Sequence, residues 1–253
     1  MEGKKIKRFF LNTYDLNKIN INTDLKKIYQ QIEITEKNSD KNYPPNMTES
    51  INSLGEKTYE TSFYTGTGGN IYIYWKQYLF YDTKKEYLDK FYQSLLTNLS
   101  ISEKEEDETN SFFIGKSGIY MFYCIYSIET KNKETFEKFF KKLIKLKSFS
   151  ESKDAEVELL YGTAGYLYSL LFLKKYIDSF GQNEEIYNII AENMKNLLNE
   201  TIIKIFDILI NSGIIYMIKY KWCKSLLYPF PVNEDNPQFY LGAAHGLNHY
   251  KLN

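Results

Sequence analysis

The stretch Phe113-Ile-Gly115-Lys-Ser-Gly118-Ile-Tyr-Met-Phe-Tyr-Cys124 joins a Gly-x-x-Gly turn to a segment that is apolar on nearly every side. The same order of features occurs twice more in the chain, at Tyr64–Trp75 and at Tyr161–Phe172. The first glycines of the three turns, Gly66, Gly115 and Gly162, are 49 and 47 residues apart. A period of this length holds two helices and two turns, so the pattern predicts a repeat of helical hairpins.

Two amphipathic segments separate the apolar ones. Lys84–Leu96 and Thr135–Ile144 each carry apolar residues at helical spacing on one side and charged residues on the other, which is typical of a helix at the surface. A helix that is apolar all round belongs in the interior. Alternation of the two kinds predicts an all-α fold, an α/α toroid of two concentric rings. The glycines would lie where a Cβ at the start of each inner helix would clash.

The rest of the chain is assigned around these repeats. Residues 1–50 are expected to hold an N-terminal arm, a first helix at residues 16–36 and a polar loop at residues 37–50, and residues 51–253 to form the toroid domain. A long helix is predicted from about Glu184 to Asn211. Ser212-Gly213 would end it, because glycine commonly stops a helix at its C-terminus.

Charge and composition exclude several classes of protein. The chain has 32 basic and 32 acidic residues, which argues against a nucleic-acid-binding protein. Its two cysteines, Cys124 and Cys223, belong to no CxxC pair, and so few cysteines are typical of a reducing compartment. No apolar signal segment follows Met1, and the longest apolar run, Ile119–Ile128, is short of the about 20 residues that span a bilayer. We expect a cytoplasmic protein without a transmembrane segment.

His245 is the candidate catalytic residue. It is one of two histidines and lies in Tyr240-Leu-Gly-Ala-Ala-His245-Gly246, where small residues let backbones approach closely. A histidine placed there can exchange protons near neutral pH. Taken alone, these residues favour a structural histidine near the start of an inner helix, with a functional histidine as the alternative.

Five stretches of the chain resemble, in order, the eukaryotic branch of the lanthionine synthetase C-like (LanC-like) family. They are an N-terminal arm at Arg8–Tyr14, three inner-helix motifs at Phe63–Gly69, Phe112–Gly118 and Glu158–Tyr168, and the most specific motif at Tyr240–Leu247. The resemblance implies a seven-fold double α/α toroid, and this chain would hold roughly four of its hairpins as an incomplete ring. The likeness stops after Leu247, where His249 replaces an expected glycine, so we expect a C-terminally truncated chain.

The resemblance also implies a chemistry, in which a thiol adds to a dehydroalanine or dehydrobutyrine residue of a peptide. In the eukaryotic branch the thiol is that of glutathione, and zinc binds the sulfur and lowers its pKa. His245 would manage the proton at the enolate that forms, and Arg8 would contact an anionic group of glutathione. The family's zinc ligands, two cysteines and a histidine, follow the His245 motif. No residue of this chain matches them, so we expect no metal site and an inactive chain.

Two alternatives stay open. One is a non-catalytic protein that binds a dehydrated peptide or glutathione. The other is a different α/α-toroid enzyme such as a glycoside hydrolase, which needs two facing carboxylates, whereas only Glu158 lies shortly before an inner motif. The partners implied are a peptide and glutathione, with no nucleic acid, and a peripheral association with the plasma membrane stays open.

Overall fold

A computed structural model describes residues 30–31, 34, 38, 41–51, 57–81, 85–104, 109–152, 155–181 and 189–221. Backbone contacts divide the chain into two units, residues 1–44 and 45–253. In the first unit, the described residues Gln30, Gln31 and Ile34 are helical, as the first helix requires. Helical backbone also occurs at Asn38 and at residues 41–42, where a loop was expected. The strong stop signals there are Pro44 and Pro45, and helices usually end at or before the residue that precedes a proline.

The second unit is helical apart from one short antiparallel pair among its described residues. Strand β1 (Ser50–Ile51) pairs with β2 (Lys57–Thr58), with Ser50 opposite Thr58. The helices are α1 (Gly68–Phe80), α2 (Lys85–Ser102), α3 (Ser117–Glu129), α4 (Lys133–Lys145), α5 (Lys147–Ser150), α6 (Thr163–Asp178) and α7 (Glu192–Tyr220). The prediction of an all-α fold is confirmed. Closure into a toroid stays a prediction.

Each helix that follows a Gly-x-x-Gly turn, here called an inner helix, forms a hairpin with the next long helix. The inner helices are α1, α3 and α6, and they pack against α2, α4 and α7. In the first hairpin the Thr67 hydroxyl, beside the start of α1, donates a hydrogen bond of 2.7 Å to the Asn98 side chain near the end of α2. The second helix of this hairpin therefore returns to the end at which the inner helix begins.

Burial follows the predicted division into inner and outer helices, with one difference. On α3 the buried residues lie on all sides of the helix. Helix α4 buries a single stripe that includes Phe136, Phe140 and Leu143, and its N-terminus is capped by the Asn132 side chain, which accepts from the Thr135 N–H. Unlike α3, helices α1 and α6 keep one face exposed. Helix α3 packs against α6 and also contacts α1 through the Trp75 and Phe122 rings, so it lies between the other two inner helices.

The prediction that Ser212-Gly213 ends the long helix is wrong. Helix α7 continues through both residues to Tyr220 and ends at Lys221, which has a left-handed φ of 51°. A glycine inside a helix costs about 1 kcal/mol relative to alanine, and the apolar residues that follow Gly213 outweigh it. The helix also begins at Glu192 rather than at Glu184, since Ala191 has extended backbone; residues 182–188 lie outside the described part of the chain.

By length and composition alone, Glu192–Lys219 could cross a membrane, with a mean hydropathy of 1.7 over its most apolar window. One helix of this kind is weak evidence, because core helices pass the same test. The first half of α7 packs against α6 and α5, where Met194, Leu198 and Ile205 are buried. These contacts hold the first half of the helix in the domain, whereas only 17% of its most apolar window is buried. The predicted helix ended before Ser212-Gly213 and therefore did not include the apolar residues that complete this length.

Candidate functional site

The three motif loops, residues 60–67, 109–116 and 156–162, lie side by side at the start of the inner helices. The Phe63 N–H donates to the Phe113 carbonyl at 2.6 Å, which joins the first loop to the second. The Ser111 hydroxyl donates to the Leu159 carbonyl at 3.0 Å, and the Thr109 hydroxyl donates to the Tyr161 carbonyl. These bonds place the N-terminal ends of the inner helices in a row, which gathers the loop side chains on one side of the domain.

The first glycine of each motif packs closely against the backbone of its own loop. A Cβ on Gly66, Gly115 or Gly162 would lie under 3.0 Å from the backbone carbonyl six residues earlier. The second glycine separates neighbouring repeats. A Cβ on Gly118 would lie 2.6 Å from Phe63 Cε2, and one on Gly165 would meet the Ser111 side chain. The predicted reason for the glycines, close approach at the start of the inner helices, is confirmed at these positions.

A polar side chain stabilises each loop four residues before the first glycine. Ser62 Oγ accepts from the Thr65 N–H at 3.0 Å, and Ser111 Oγ accepts from the Phe113 N–H at 3.1 Å. The third repeat has Glu158 there, whose carboxylate accepts from the Leu160 N–H at 3.0 Å and from the Tyr161 N–H. Glu158 is 6% exposed. It holds the loop in shape, which disfavours it as the acid of a glycoside hydrolase.

At the opposite end, the Glu129 carboxylate joins the three inner helices. It accepts a hydrogen bond of 2.5 Å from Tyr78 on α1 and another from Tyr176 on α6. Burial, together with the Glu129 carboxylate, raises the pKa of both tyrosine hydroxyls above the ordinary value. Both hydroxyls therefore stay protonated and donate, and the three helices run parallel between this end and the motif loops.

Five aromatic rings form a continuous row along the inner helices, here called the aromatic row. Its members are Tyr72 and Trp75 on α1, Phe172 and Tyr168 on α6, and Phe113 in the second loop. Successive ring centroids lie 5.7, 5.3, 6.0 and 5.9 Å apart. The Phe122 ring of α3 lies behind the row, 5.5 Å from Trp75 and 5.9 Å from Phe172. The row thus crosses from α1 to α6 over the buried middle helix.

The residues predicted to act in catalysis and binding, His245 and Arg8, lie outside the described part of the chain, as do His249 and Cys223. Their roles stay predictions. Thr163 begins α6 and is buried, and its N–H donates to the Glu156 carbonyl at 2.8 Å.

The described residues do not fit the zinc site of the family. Cys124 is fully buried on α3, and burial raises the pKa of its thiol, whereas a zinc-bound cysteine is a thiolate. Among the residues that the structure describes, no group of three histidine, cysteine, aspartate or glutamate side chains could hold a metal ion. Cys124 is therefore a small residue of the hydrophobic core.

The Glu129 contacts and the aromatic row were not predicted from the sequence. Tyr72, Lys76 and Leu79 recur at helical spacing on α1, as do Tyr168 and Leu171 on α6, and this was interpreted as part of an all-apolar helix. The presence of lysine on α1 was the available signal that one face of this helix is not buried in the core.

Comparison with known families identifies the chain. The family model described as Lanthionine synthetase C-like protein matches residues 57–248, which is more than half of the chain and holds all three motif loops together with the Tyr240–Leu247 segment. A search of curated proteins finds no match. The chain therefore belongs to the lanthionine synthetase C-like family.

Proposed function

We propose that this chain takes part in the addition of glutathione to dehydroamino acids in peptides. Its LanC-like membership already makes it a peptide-modifying protein at the level of the family. The observation that carries the finer proposal is the extent of the family match, which runs through the Ala243-Ala-His245-Gly246 segment. The three motif loops support it, because they gather at one end of the inner helices, where a fourth motif of the same kind would join them.

In this reaction a thiolate forms a bond to the β-carbon of the dehydroamino acid, and the electron pair of the double bond moves to the α-carbon. The resulting enolate needs a proton at that carbon, and His245 supplies it, because histidine is the side chain whose ordinary pKa suits proton exchange near neutral pH. Arg8 binds a carboxylate of glutathione through its guanidinium. Zinc would supply the thiolate in the family, but the described residues do not fit it.

We propose further that the 253-residue chain does not accelerate the addition by itself. A glutathione thiol is mostly protonated near neutral pH, and the described residues offer no metal site that would lower its pKa. Binding without catalysis is the function left to the isolated chain. The cytoplasm, with its reduced glutathione pool, is the compartment that suits this proposal.

The test uses a synthetic peptide with one dehydroalanine, reduced glutathione and zinc, with the adduct followed by mass spectrometry. We expect the rate with the chain to equal the rate without it, while calorimetry detects glutathione binding. Arg8→Ala should weaken this binding by about tenfold, as expected for a charge-assisted hydrogen bond, and Lys7→Ala, its neighbour, should not. An accelerated rate that His245→Asn abolishes would overturn the inactivity, and absence of glutathione binding would overturn the proposed substrate.

A further inference from the structure

We infer that the aromatic row binds an extended peptide segment in which aromatic side chains alternate with acidic ones. This rests on the proposed function, since it names the class of peptide that would be modified. The row spans the exposed faces of α1 and α6 and reaches the second motif loop through Phe113. A peptide on it would therefore extend toward the end of the inner helices where the motif loops lie.

The row is accessible on either side of its rigid centre. Tyr72 is 37% exposed and Tyr168 is 40% exposed, and each has an exposed aliphatic neighbour, Ile73 or Leu171. Between them Trp75 is buried against Phe122. Because this ring is already fixed, little side-chain entropy is lost when a peptide binds. Rigid aromatic anchors of this kind supply much of the affinity at protein interfaces.

Trp75 also carries an unsatisfied donor. Within the part of the chain that the structure describes, its indole N–H is buried and has no hydrogen-bond partner. An unpaired buried donor is costly, and most buried polar groups are paired. A backbone carbonyl of a bound peptide would supply the acceptor after a small movement of the neighbouring rings, which an aliphatic or detergent-like occupant could not do.

The charged side chains beside the row favour a negatively charged peptide. Lys76 Nζ lies 4.8 Å from the centroid of Trp75 and 5.4 Å from that of Tyr72, and Lys175 lies on the same face of α6 as Tyr168 and Phe172. Neither lysine has an ion pair among the described residues. The acidic residue of α6, Asp178, pairs with Lys174 at 2.9 Å, and Glu129 at the end of α3 accepts hydrogen bonds from two tyrosines. The surface is thus aromatic and positively charged, which complements an acidic peptide.

The experiment measures fluorescence anisotropy of the full chain with a fluorescein-labelled peptide of alternating Phe and Glu. The peptide contains no dehydroamino acid and no thiol, so its binding does not depend on the proposed reaction. Two further peptides, of alternating Ser and Glu and of alternating Phe and Lys, test the aromatic and the acidic requirement. The variants are Tyr72→Ala combined with Tyr168→Ala, and Lys76→Glu, with Phe206→Ala and Lys141→Glu as matched exposed controls on α7 and α4.

We expect the Phe–Glu peptide to bind best, with affinity that falls as salt is added. The double tyrosine variant and Lys76→Glu should each weaken binding by about tenfold, and the controls by less than about twofold. Circular dichroism of each variant checks that the helices are kept. Equal binding of the Phe–Lys peptide, or equal losses in the controls, overturns the inference. If the Phe–Glu peptide binds as expected while glutathione does not, the proposed function fails and the peptide surface stands.

Discussion

The Tyr78 hydroxyl donates a hydrogen bond of 2.5 Å to the Glu129 carboxylate, which joins the end of α1 to the end of α3. Tyr176 donates to the other oxygen of the same carboxylate from α6. One side chain thereby holds three consecutive repeats at the end opposite to the motif loops. The tyrosines lie 51 and 47 residues from Glu129 in the sequence, so each contact spans one repeat.

The substitution Glu129→Gln should destabilise the domain. The amide keeps one acceptor oxygen but presents an N–H₂ group to the second tyrosine, whose O–H donor then has lost its acceptor. A loss of this kind costs about 1–3 kcal/mol, and thermal unfolding followed by circular dichroism would show it as a lower melting temperature. Glu200→Gln, at an exposed position on α7, is the control and should leave the temperature unchanged. Tyr78→Phe and Tyr176→Phe should each be measured in the wild type and in the Glu129→Gln variant. If each lowers the stability by the same amount in both backgrounds, the three groups do not act together.

Gly118→Ala should be destabilising where Gly69→Ala is not. The two glycines hold the same position in successive motifs, but a Cβ on Gly118 would lie 2.6 Å from Phe63 Cε2 and 2.7 Å from the Phe112 carbonyl. Overpacking of this kind costs about 1–3 kcal/mol. At Gly69 the nearest atom would be 3.8 Å away, and alanine inside a helix is favoured over glycine by about 1 kcal/mol. Urea unfolding of both variants would check the pair, and equal effects would contradict the close approach between repeats.

The repeat was predictable because glycine spacing and the apolar period are local properties of the sequence. Gly66, Gly115 and Gly162 indicate where α1, α3 and α6 begin, and the charged faces of α2 and α4 indicate the outer helices. The course of α7 was not predictable from Gly213, since a helix continues through glycine when its flanking residues favour it. The Glu129 contacts were hidden for another reason. A period near 48 residues indicates which helices are neighbours. It does not indicate which side chains of neighbouring helices are in contact, because that depends on how the helices pack.

The candidate site was likewise predictable only in part. Ser62, Ser111 and Glu158 share one position in the repeat, and their capping roles follow from the loop geometry, which the sequence alone leaves open. Glu158 shows the difference most clearly. In the sequence it is a carboxylate next to a motif and a candidate acid, whereas in the fold its oxygens accept from two backbone N–H groups.

Acid should destabilise the chain partly through two exposed ion pairs. Hydrogen bonding to Lys142 lowers the pKa of Glu103, and hydrogen bonding to Lys204 lowers that of Glu151. A carboxyl whose pKa is depressed in the folded state stabilises it above the unfolded pKa, and this contribution is lost as the pH falls through the folded pKa. The loss should begin below about pH 4.3, the ordinary pKa of glutamate. Each exposed pair contributes at most about 1 kcal/mol.

The measurement is urea unfolding at a series of pH values for the wild type and for Lys142→Met and Lys204→Met. The variants should lose less stability on acidification, because their partner carboxyl has an ordinary pKa. Methionine keeps the packing of the Lys142 stem against Tyr120 and Phe139, whose rings lie within about 5.5 Å of its charge. A steeper acid dependence in either variant would show that the ion pair is not the source of the shift.

The full chain should purify without stoichiometric zinc. The cysteine that the structure describes, Cys124, is buried in α3 with a raised thiol pKa, and a zinc-bound cysteine must give up its proton. Metal analysis after dialysis against zinc should therefore find well under one equivalent, and Cys124→Ser should not change the amount. Cys223→Ser and His245→Asn are the decisive variants, since these side chains lie in the motif-bearing part of the family match or beside it. One equivalent of zinc that either substitution removes would mean that this chain builds a metal site of its own, with His245 as a ligand rather than the proton donor proposed here.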